Sequence, residues 1–295
     1  MSYWKKIKKK YMGDRAFYRH YLLLAVPMIL QNAITNLVSF LDNIMVGQLG
    51  TEQMSGVAIV NQLIFVYNLA IFGAVSAASI FGAQYFGNGD HRGHMHSFRF
   101  KLYATLLVSG LTMLLLLTKG SDLISLYLTD TAGNGATDVA LQYGKQYLVI
   151  MLVGLVPFAV NQAYATNIKE TGQTLVPMLA SFVAVGTNAV LDYLLIFGVG
   201  PFPELGVTGA ALATVIARYV EAVIVVFWAH RNREKNRYLE GAYRGFGIPV
   251  SELKTVLIKG LPLMFNEVLW AAGMTTVTQC YSCLLYTSPS PRDCS

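Results

Sequence analysis

The chain has 295 residues, of which 54% are hydrophobic and only 13% are charged, and its mean hydropathy is +0.47. An ordinary soluble domain carries about 25% charged residues, so this composition excludes a disordered chain and argues against a soluble enzyme of this length. It indicates a polytopic membrane protein, in which lipid rather than water covers the outer surface.

Seven apolar stretches are long enough to span a bilayer, because a spanning α-helix needs about 20 mostly apolar residues. In chain order they are Tyr21–Val46, Met54–Phe81, Phe98–Thr118, Val139–Ala163, Thr174–Gly198, Thr208–Trp228 and Gly260–Leu284. After the third stretch, Ser121–Thr129 has the pattern of a short amphipathic helix at the membrane interface. The fold class predicted from this pattern is an all-α polytopic membrane protein.

Lys and Arg are distributed unequally between the two sides of the predicted spans. The N-terminal tail, residues 1–20, holds seven of them, and the sixth connection with its flanks holds another seven. Alternate sides carry 18 and one in all, so the positive-inside rule predicts a cytoplasmic N-terminus and a multi-pass protein of the inner cell membrane. The net charge of +6 is then a topology signal, and it gives no reason to expect a nucleic-acid partner.

The first and seventh spans begin with the same pattern, an apolar residue, a proline, three apolar residues and two polar ones. This similarity predicts an internal repeat of six helices in the same orientation. We therefore expect a basic cytoplasmic tail (1–20), a six-helix N-lobe (21–230), a cytoplasmic connection between lobes (231–259) and the first helix of a C-lobe (260–284). The Ser/Pro-rich residues 285–295 have the composition of a non-native scar, which predicts a C-terminally truncated chain.

Two carboxylates lie inside the predicted spans at similar depth. Asp42 and Asp192 come shortly before the outer ends of the first and fifth spans, and Asn188 shares a helix face with Asp192. Thr214 lies at a similar depth in the sixth span. An ionisable group at membrane depth is costly unless it is paired or hydrated, so Asp42, Asn188, Asp192 and Thr214 are predicted to bind Na⁺ or a proton. The alternative is that each is a helix-end residue bonded to its neighbours.

Other polar residues in the spans have two interpretations each. Asn32, Asn36, Ser39 and Asn43 lie on one face of the first span, where they line either an aqueous cavity or a helix contact. Arg218 and Glu221 are three residues apart and are expected to pair with each other. Glu267, in the seventh span, occupies the repeat position of Asn32 and is a further candidate for the cation site.

The remaining motifs give little reason to expect an enzyme, a structural metal or a cofactor. His91, His94 and His96 have metal-like spacing but lie in a predicted connection, and the CxxC of Cys280 and Cys283 has no second pair. No nucleophile elbow or HExxH motif occurs. No nucleotide-binding loop occurs either, so ATP-driven transport is not expected.

Three ordered motifs resemble the MATE family of multidrug and toxic compound extrusion transporters. They are Val26-Pro27-Met28, Leu41-Asp42-Asn43-Ile-Met-Val-Gly47, and Gly206-Val-Thr-Gly-Ala-Ala-Leu-Ala-Thr214. The resemblance implies a two-lobed antiporter of twelve helices. It places Asp42, Asn188, Asp192 and Thr214 on the N-lobe cation site of archaeal-type members, and Glu267 on the seventh-helix acid of some sodium-coupled bacterial members. The resemblance does not identify the coupling ion, because this sequence has both the N-lobe residues and the seventh-helix acid.

The function expected from these observations is export of amphipathic organic cations in exchange for Na⁺ or H⁺ by alternating access between lobes. No partner beyond the small-molecule substrate and the lipid bilayer, and no metal beyond Na⁺, is expected. The alternatives are a lipid-linked oligosaccharide flippase of the same superfamily, a fragment without activity, and a seven-helix receptor, which would normally place its N-terminus outside.

Overall fold

The computed structural model describes residues 14–128, 134–244, 247–250 and a subset of the residues between 253 and 277. Within these ranges the regular structure is helical. The α-helices are α1 (Arg15–Gly47), α2 (Thr51–Gly87), α3 (His91–Leu128), α4 (Asn134–Val153), α5 (Leu155–Glu170), α6 (Leu175–Phe197) and α7 (Val207–Arg231), followed by a 3₁₀ turn at Arg237–Leu239. The all-α fold class is confirmed.

Six of the seven predicted spans correspond to these helices. Five single helices are long and apolar enough to cross a membrane, and α4 with α5, bent by 44°, makes a sixth if the pair is counted as one span. The described residues between 250 and 277 are helical, but only some positions of the predicted seventh span lie within the described part. Large apolar side chains on the outside of the bundle, such as Leu107, Leu114 and Phe227, give the surface that lipid requires.

The amphipathic piece predicted after the third span is part of a longer helix, and its place at the membrane interface stays a prediction. Residues 121–128 continue α3 without a break. This stretch contains no proline, and the side chains of Thr118 and Ser125 bond to carbonyls of the same helix. Nothing in it therefore terminates the helix.

The bend in the fourth span has an identifiable cause. Pro157 has no N–H to offer the carbonyl of Val153 four residues earlier, and the chain breaks at Gly154. Side chains from neighbouring helices donate to the freed carbonyl of Val153 and to the next two carbonyls, of which Gly154 also accepts from the N–H of Phe158 at 3.4 Å. Tyr219 donates to Val153 and Arg218 to Gly154, each at 3.4 Å, and the hydroxyl of Tyr67 donates to the carbonyl of Leu155 at 2.8 Å. The break is thus held by side chains of α2 and α7.

Helices α6 and α7 pack closely because small residues line their contact. A Cβ on Gly209 would lie 2.5 Å from the carbonyl oxygen of Leu195, so only glycine fits at this approach. Ala210 and Ala213 on the same helix are fully buried. Small residues at such positions let two helix backbones approach closely.

One end of the bundle is organised by buried basic residues. Lys101 on α3 bonds to Asn167 and forms an ion pair with Glu170, both on α5. The ring of His94 lies 3.3 Å from the same carboxylate. His94 is therefore part of a buried ion-pair cluster, and within the described ranges no three His, Cys, Asp or Glu residues are grouped to hold a metal.

Arg99 fixes the segment that follows α7. Its guanidinium donates to the carbonyl oxygens of Ala242 at 2.8 Å, Gly247 at 2.9 Å, Gly241 at 2.6 Å and Arg244 at 3.0 Å. The side chain is only 5% exposed. Arg99 and Lys101 are among the 18 basic residues that the positive-inside rule counts on one side of the membrane. In the structure both are buried, and each connects separate elements.

Candidate functional site

Three helices bring the four predicted cation ligands to one region of the bundle. Asp42 lies on α1, Asn188 and Asp192 on α6, and Thr214 on α7. The amide of Asn188 donates to the hydroxyl of Thr214 at 3.5 Å, the outer limit of a hydrogen bond. Asp192 is 1% exposed and Asn188 is 8% exposed. Asn188 and Asp192 are therefore enclosed by protein, whereas Asp42 and Thr214 are partly buried, and each of the four side chains offers at least one oxygen to a cation.

The two carboxylates have unsatisfied oxygens. One oxygen of Asp42 and one of Asp192 are buried and have no hydrogen-bond partner within the part of the chain that the structure describes. Asp42 also acts electrostatically on Asp192. Two carboxylates that interact within an apolar bundle do not both carry a charge unless a cation or proton compensates them. The arrangement can hold a hard monovalent cation or exchange a proton.

A tyrosine and an amide belong to the same region, and the sequence did not indicate either. Tyr147 on α4 is buried, and its hydroxyl donates to Asn61 of α2 at 3.3 Å. Asp42 and Asp192 both act electrostatically on this hydroxyl. In a sequence, a carboxylate within an apolar span is more conspicuous than a tyrosine. Asn61, an amide within the apolar second span, is the signal that would have drawn attention to this contact.

A separate series of side-chain hydrogen bonds connects α1, α6 and α7. The amide of Gln31 on α1 donates to Ser181 of α6 at 2.7 Å, and Ser181 donates to the carboxylate of Glu221 on α7. Arg218 instead bonds to Gly154 and stacks over Phe158 at 5.2 Å. The expected direct pair of Arg218 with Glu221 is therefore wrong, because each side chain has a partner on another helix.

The polar stripe of α1 lies away from the carboxylates. Its members are all exposed in the structure: Asn32, Asn36, Ser39 and Asn43. The hydroxyl of Ser39 bonds to the carbonyl of Thr35 on the same helix. Their proposed role in lining a cavity stays a prediction. Glu267 lies outside the described residues, so its part in the site also stays a prediction.

A cavity of about 480 Å³ lies between α2, α5 and described residues of the predicted seventh span. Its lining includes Phe65, Phe72, Phe158 and Trp270, together with the amides of Asn68 and Asn266. One buried oxygen of Asn68 has no hydrogen-bond partner among the described residues. Aromatic faces beside a free amide oxygen suit an organic cation with polar substituents.

Comparison with protein families decides the class of the chain. A family model described as MatE matches residues 27–194, more than half of the sequence. The chain belongs to the MatE family. The matched range contains Asp42, Asn188 and Asp192, and it ends before Thr214.

Two curated proteins similar to this MatE chain carry the same name. A "Probable multidrug resistance protein NorM" of Thermotoga maritima is 27% identical over 253 residues, which cover 85% of this chain and 52% of the relative. A protein of the same name from Rhizobium meliloti is 30% identical over 224 residues, covering 75% of this chain and 46% of the relative. The chain thus spans about half the length of the curated relatives it matches.

Solved structures share the fold. The outward-facing conformation of a multidrug resistance MATE family transporter of the MOP superfamily aligns with a TM-score of 0.73 and 23% identity, over 87% of this chain and 54% of that chain. A MATE structure in the bent conformation aligns with a TM-score of 0.73 and 22% identity, over 88% of this chain and 55% of that one. At these identities the likeness establishes the helical membrane fold.

Proposed function

We propose that this MatE chain supplies the cation-coupling lobe of a secondary antiporter that exports amphipathic organic cations in exchange for Na⁺ or H⁺. The observation that carries the proposal is the pair of buried, unsatisfied carboxylate oxygens on Asp42 and Asp192. The names of the curated relatives support multidrug export as the activity of the whole transporter.

The chemistry of the four ligands supports a monovalent coupling ion. Carboxylate, amide and hydroxyl oxygens are hard ligands that suit Na⁺, and a close carboxylate pair also suits a proton. Asn188 and Thr214 are neutral, so they would add ligand oxygens without adding charge. A cation bound between Asp42 and Asp192 would replace a proton there, and Na⁺ and H⁺ would then compete for one site.

The aromatic cavity beside α2 and α5 supports a bulky organic cation as the exported substrate. Phe65, Phe72 and Phe158 offer ring faces, and Asn68 offers a free amide oxygen. Because Phe158 also contacts Arg218, which bonds at the α4–α5 break, this cavity adjoins the bend of the fourth span. Coupling through that bend is part of the proposal.

The flippase alternative has lost its main support. A flippase would need basic residues that line a cavity within the spans and hold the lipid phosphate, and Arg218 of α7 lies within the spans beside Phe158. Arg218 instead bonds to Gly154 and stacks on Phe158. We therefore favour the exporter, located in the cytoplasmic membrane, with no cofactor other than the coupling ion and no obligate protein partner.

Binding of ²²Na⁺ to the purified chain in detergent tests the proposal. We expect saturable binding that weakens as the pH falls, because protons compete for the carboxylates. Asp192→Asn should weaken it by at least about tenfold, and Asn188→Ala should weaken it less. Asp122→Asn is the matched control, since Asp122 is an exposed acid that pairs with Lys119.

The two candidate ions give different results in this experiment. Proton uptake that depends on Asp192, in a chain that binds no Na⁺ at any pH, would assign H⁺ as the coupling ion. Na⁺ binding that is equal in the wild type and in Asp192→Asn would contradict a cation site at these residues.

A further inference from the structure

An apolar groove runs along the outside of the bundle between α5 and α7. It encloses about 570 Å³, and its lining includes Val156, Val160, Tyr219, Val223, Phe227 and His230. Val223 is 63% exposed and Phe227 is 69% exposed. From Tyr219 to His230 the helix rises about 16 Å at 1.5 Å per residue. This length matches one leaflet of the hydrocarbon core, which is about 15 Å thick.

A second cavity, of about 340 Å³, lies beyond the end of α7. Its lining includes Arg233, Arg244, Tyr243 and Glu240, and it shares His230 with the apolar groove. Two guanidinium groups face one carboxylate, so the lining carries a net positive charge. The apolar groove and the basic cavity therefore meet at one residue, at the end of a spanning helix.

The basic cavity is preformed by contacts behind it. The buried guanidinium of Arg99 holds the carbonyls of Gly241 and Arg244, which flank Tyr243. The ring of His230 stacks on that of Tyr243, with 5.9 Å between centroids and 17° between planes. The Nδ1 of His230 donates to the carbonyl of Val226 at 2.9 Å. These contacts order the backbone and the aromatic rings of the lining without a ligand, which reduces the conformational entropy that binding costs.

We propose that the groove between α5 and α7 and the basic cavity at His230 form one site for an anionic glycerophospholipid. One acyl chain lies along Val223 and Phe227, and the phosphate is bound by Arg233 and Arg244. The planar guanidinium group donates two hydrogen bonds to phosphate oxygens. Basic pockets at the ends of spanning helices are the sites where anionic headgroups bind. The carboxylate of Glu240 weakens the positive field of the cavity. It therefore lowers the preference of the site for anionic lipids over zwitterionic ones.

Native mass spectrometry of the detergent-purified chain tests the headgroup half of the site. Given equal phosphatidylglycerol and phosphatidylethanolamine, the wild type should retain phosphatidylglycerol selectively. Arg244→Gln should reduce that retention about tenfold, the effect of losing one charge-assisted hydrogen bond of about 1.5 kcal/mol. Arg231→Gln removes the same charge at an exposed neighbour that lines neither cavity, and should change nothing. Glu240→Gln should increase retention.

A second variant tests the acyl-chain half. Val223→Trp fills the groove from an exposed position, so it should displace the lipid without unfolding the chain, and circular dichroism checks the fold. Glycerol phosphate, which lacks acyl chains, should not compete. Displacement by glycerol phosphate, together with unchanged retention in Val223→Trp, would show a free-phosphate site and overturn the proposal. Equal retention of the two lipids by the wild type would overturn it as well.

Discussion

The hydroxyl of Tyr219 on α7 donates to the carbonyl oxygen of Val153, 3.4 Å away, at the end of α4. This is the carbonyl that Pro157 leaves without an intrahelical donor. Arg218, the preceding residue of α7, bonds in the same way to Gly154. Two consecutive residues of α7 therefore contact the break between α4 and α5. We expect a change in that bend to be transmitted to α7, the helix that carries Thr214.

The coupling of Tyr219 to Pro157 gives the first prediction. Tyr219→Phe should lower the free energy of unfolding by about 0.6 kcal/mol, the mean for side-chain hydrogen bonds between spanning helices. In a Pro157→Ala background the loss should be close to zero, because the alanine N–H can bond to Val153. Unfolding in mixed detergent micelles measures both. Tyr193→Phe, at an exposed tyrosine of α6, is the control, and equal losses in the two backgrounds would contradict this role.

Arg99 is the subject of the second prediction. Its four hydrogen bonds to the segment after α7 should protect the peptide bond after Arg244 from trypsin. Arg99→Ala removes all four, so cleavage at Arg244 should be faster than in the wild type in a time course followed by mass spectrometry. Arg92→Ala, at an exposed site near the start of the same helix, should leave the cleavage rate unchanged. An unaltered rate in Arg99→Ala would mean that the segment is held by other contacts.

The ion pair between Lys101 and Glu170 gives the third prediction. Its side chains are 0% and 6% exposed, so Lys101→Met leaves a buried carboxylate beside His94 without its lysine partner. We expect a loss of about 3–5 kcal/mol in the free energy of unfolding. The pair of Lys119 and Asp122 has the same charges at 66% and 70% exposure, so Lys119→Met should cost less than about 1 kcal/mol. Similar costs for the two variants would contradict the buried-pair assignment.

The sequence predicted the helical membrane fold because twenty apolar residues in a row have few other stable arrangements. It also selected Asp42 and Asp192, since a carboxylate is conspicuous in an apolar span. It did not reveal which polar residues face each other across helices. Glu221 bonds to Ser181 rather than to Arg218 because helix rotation, which a single sequence does not specify, decides the partner. The same limit explains why Tyr147 was missed and why His94 was grouped with a possible metal site.

Orientation in the membrane gives the fourth prediction. Leu49 and Gly206 lie side by side, so the connections before α2 and before α7 meet at one end of the bundle. In a chain with its three cysteines replaced by serine, single cysteines at Thr51 and Glu204 should react with an impermeant maleimide in intact cells. A cysteine at Lys235, exposed beyond the other end of α7, should react only after permeabilisation. The opposite labelling would contradict a cytoplasmic N-terminus.

The last prediction concerns whether Asp42 and Asp192 act as one site. If a single cation lies between them, removing either charge removes the same binding interaction. Asp42→Asn and Asp192→Asn should each weaken ²²Na⁺ binding by at least about tenfold, since a charged ligand contributes about 1.5–3 kcal/mol.

The double variant decides between a shared site and two separate roles. With a shared site it should bind Na⁺ no more weakly than either single variant, because the interaction is already lost after the first substitution. Additive losses would instead mean that each carboxylate binds its own partner. Thr214→Ala removes only a neutral ligand of the same group, so it should weaken binding less than either aspartate variant. A Thr214→Ala loss as large as that of Asp192→Asn would mean that the enclosure of the site, rather than its charge, determines the affinity.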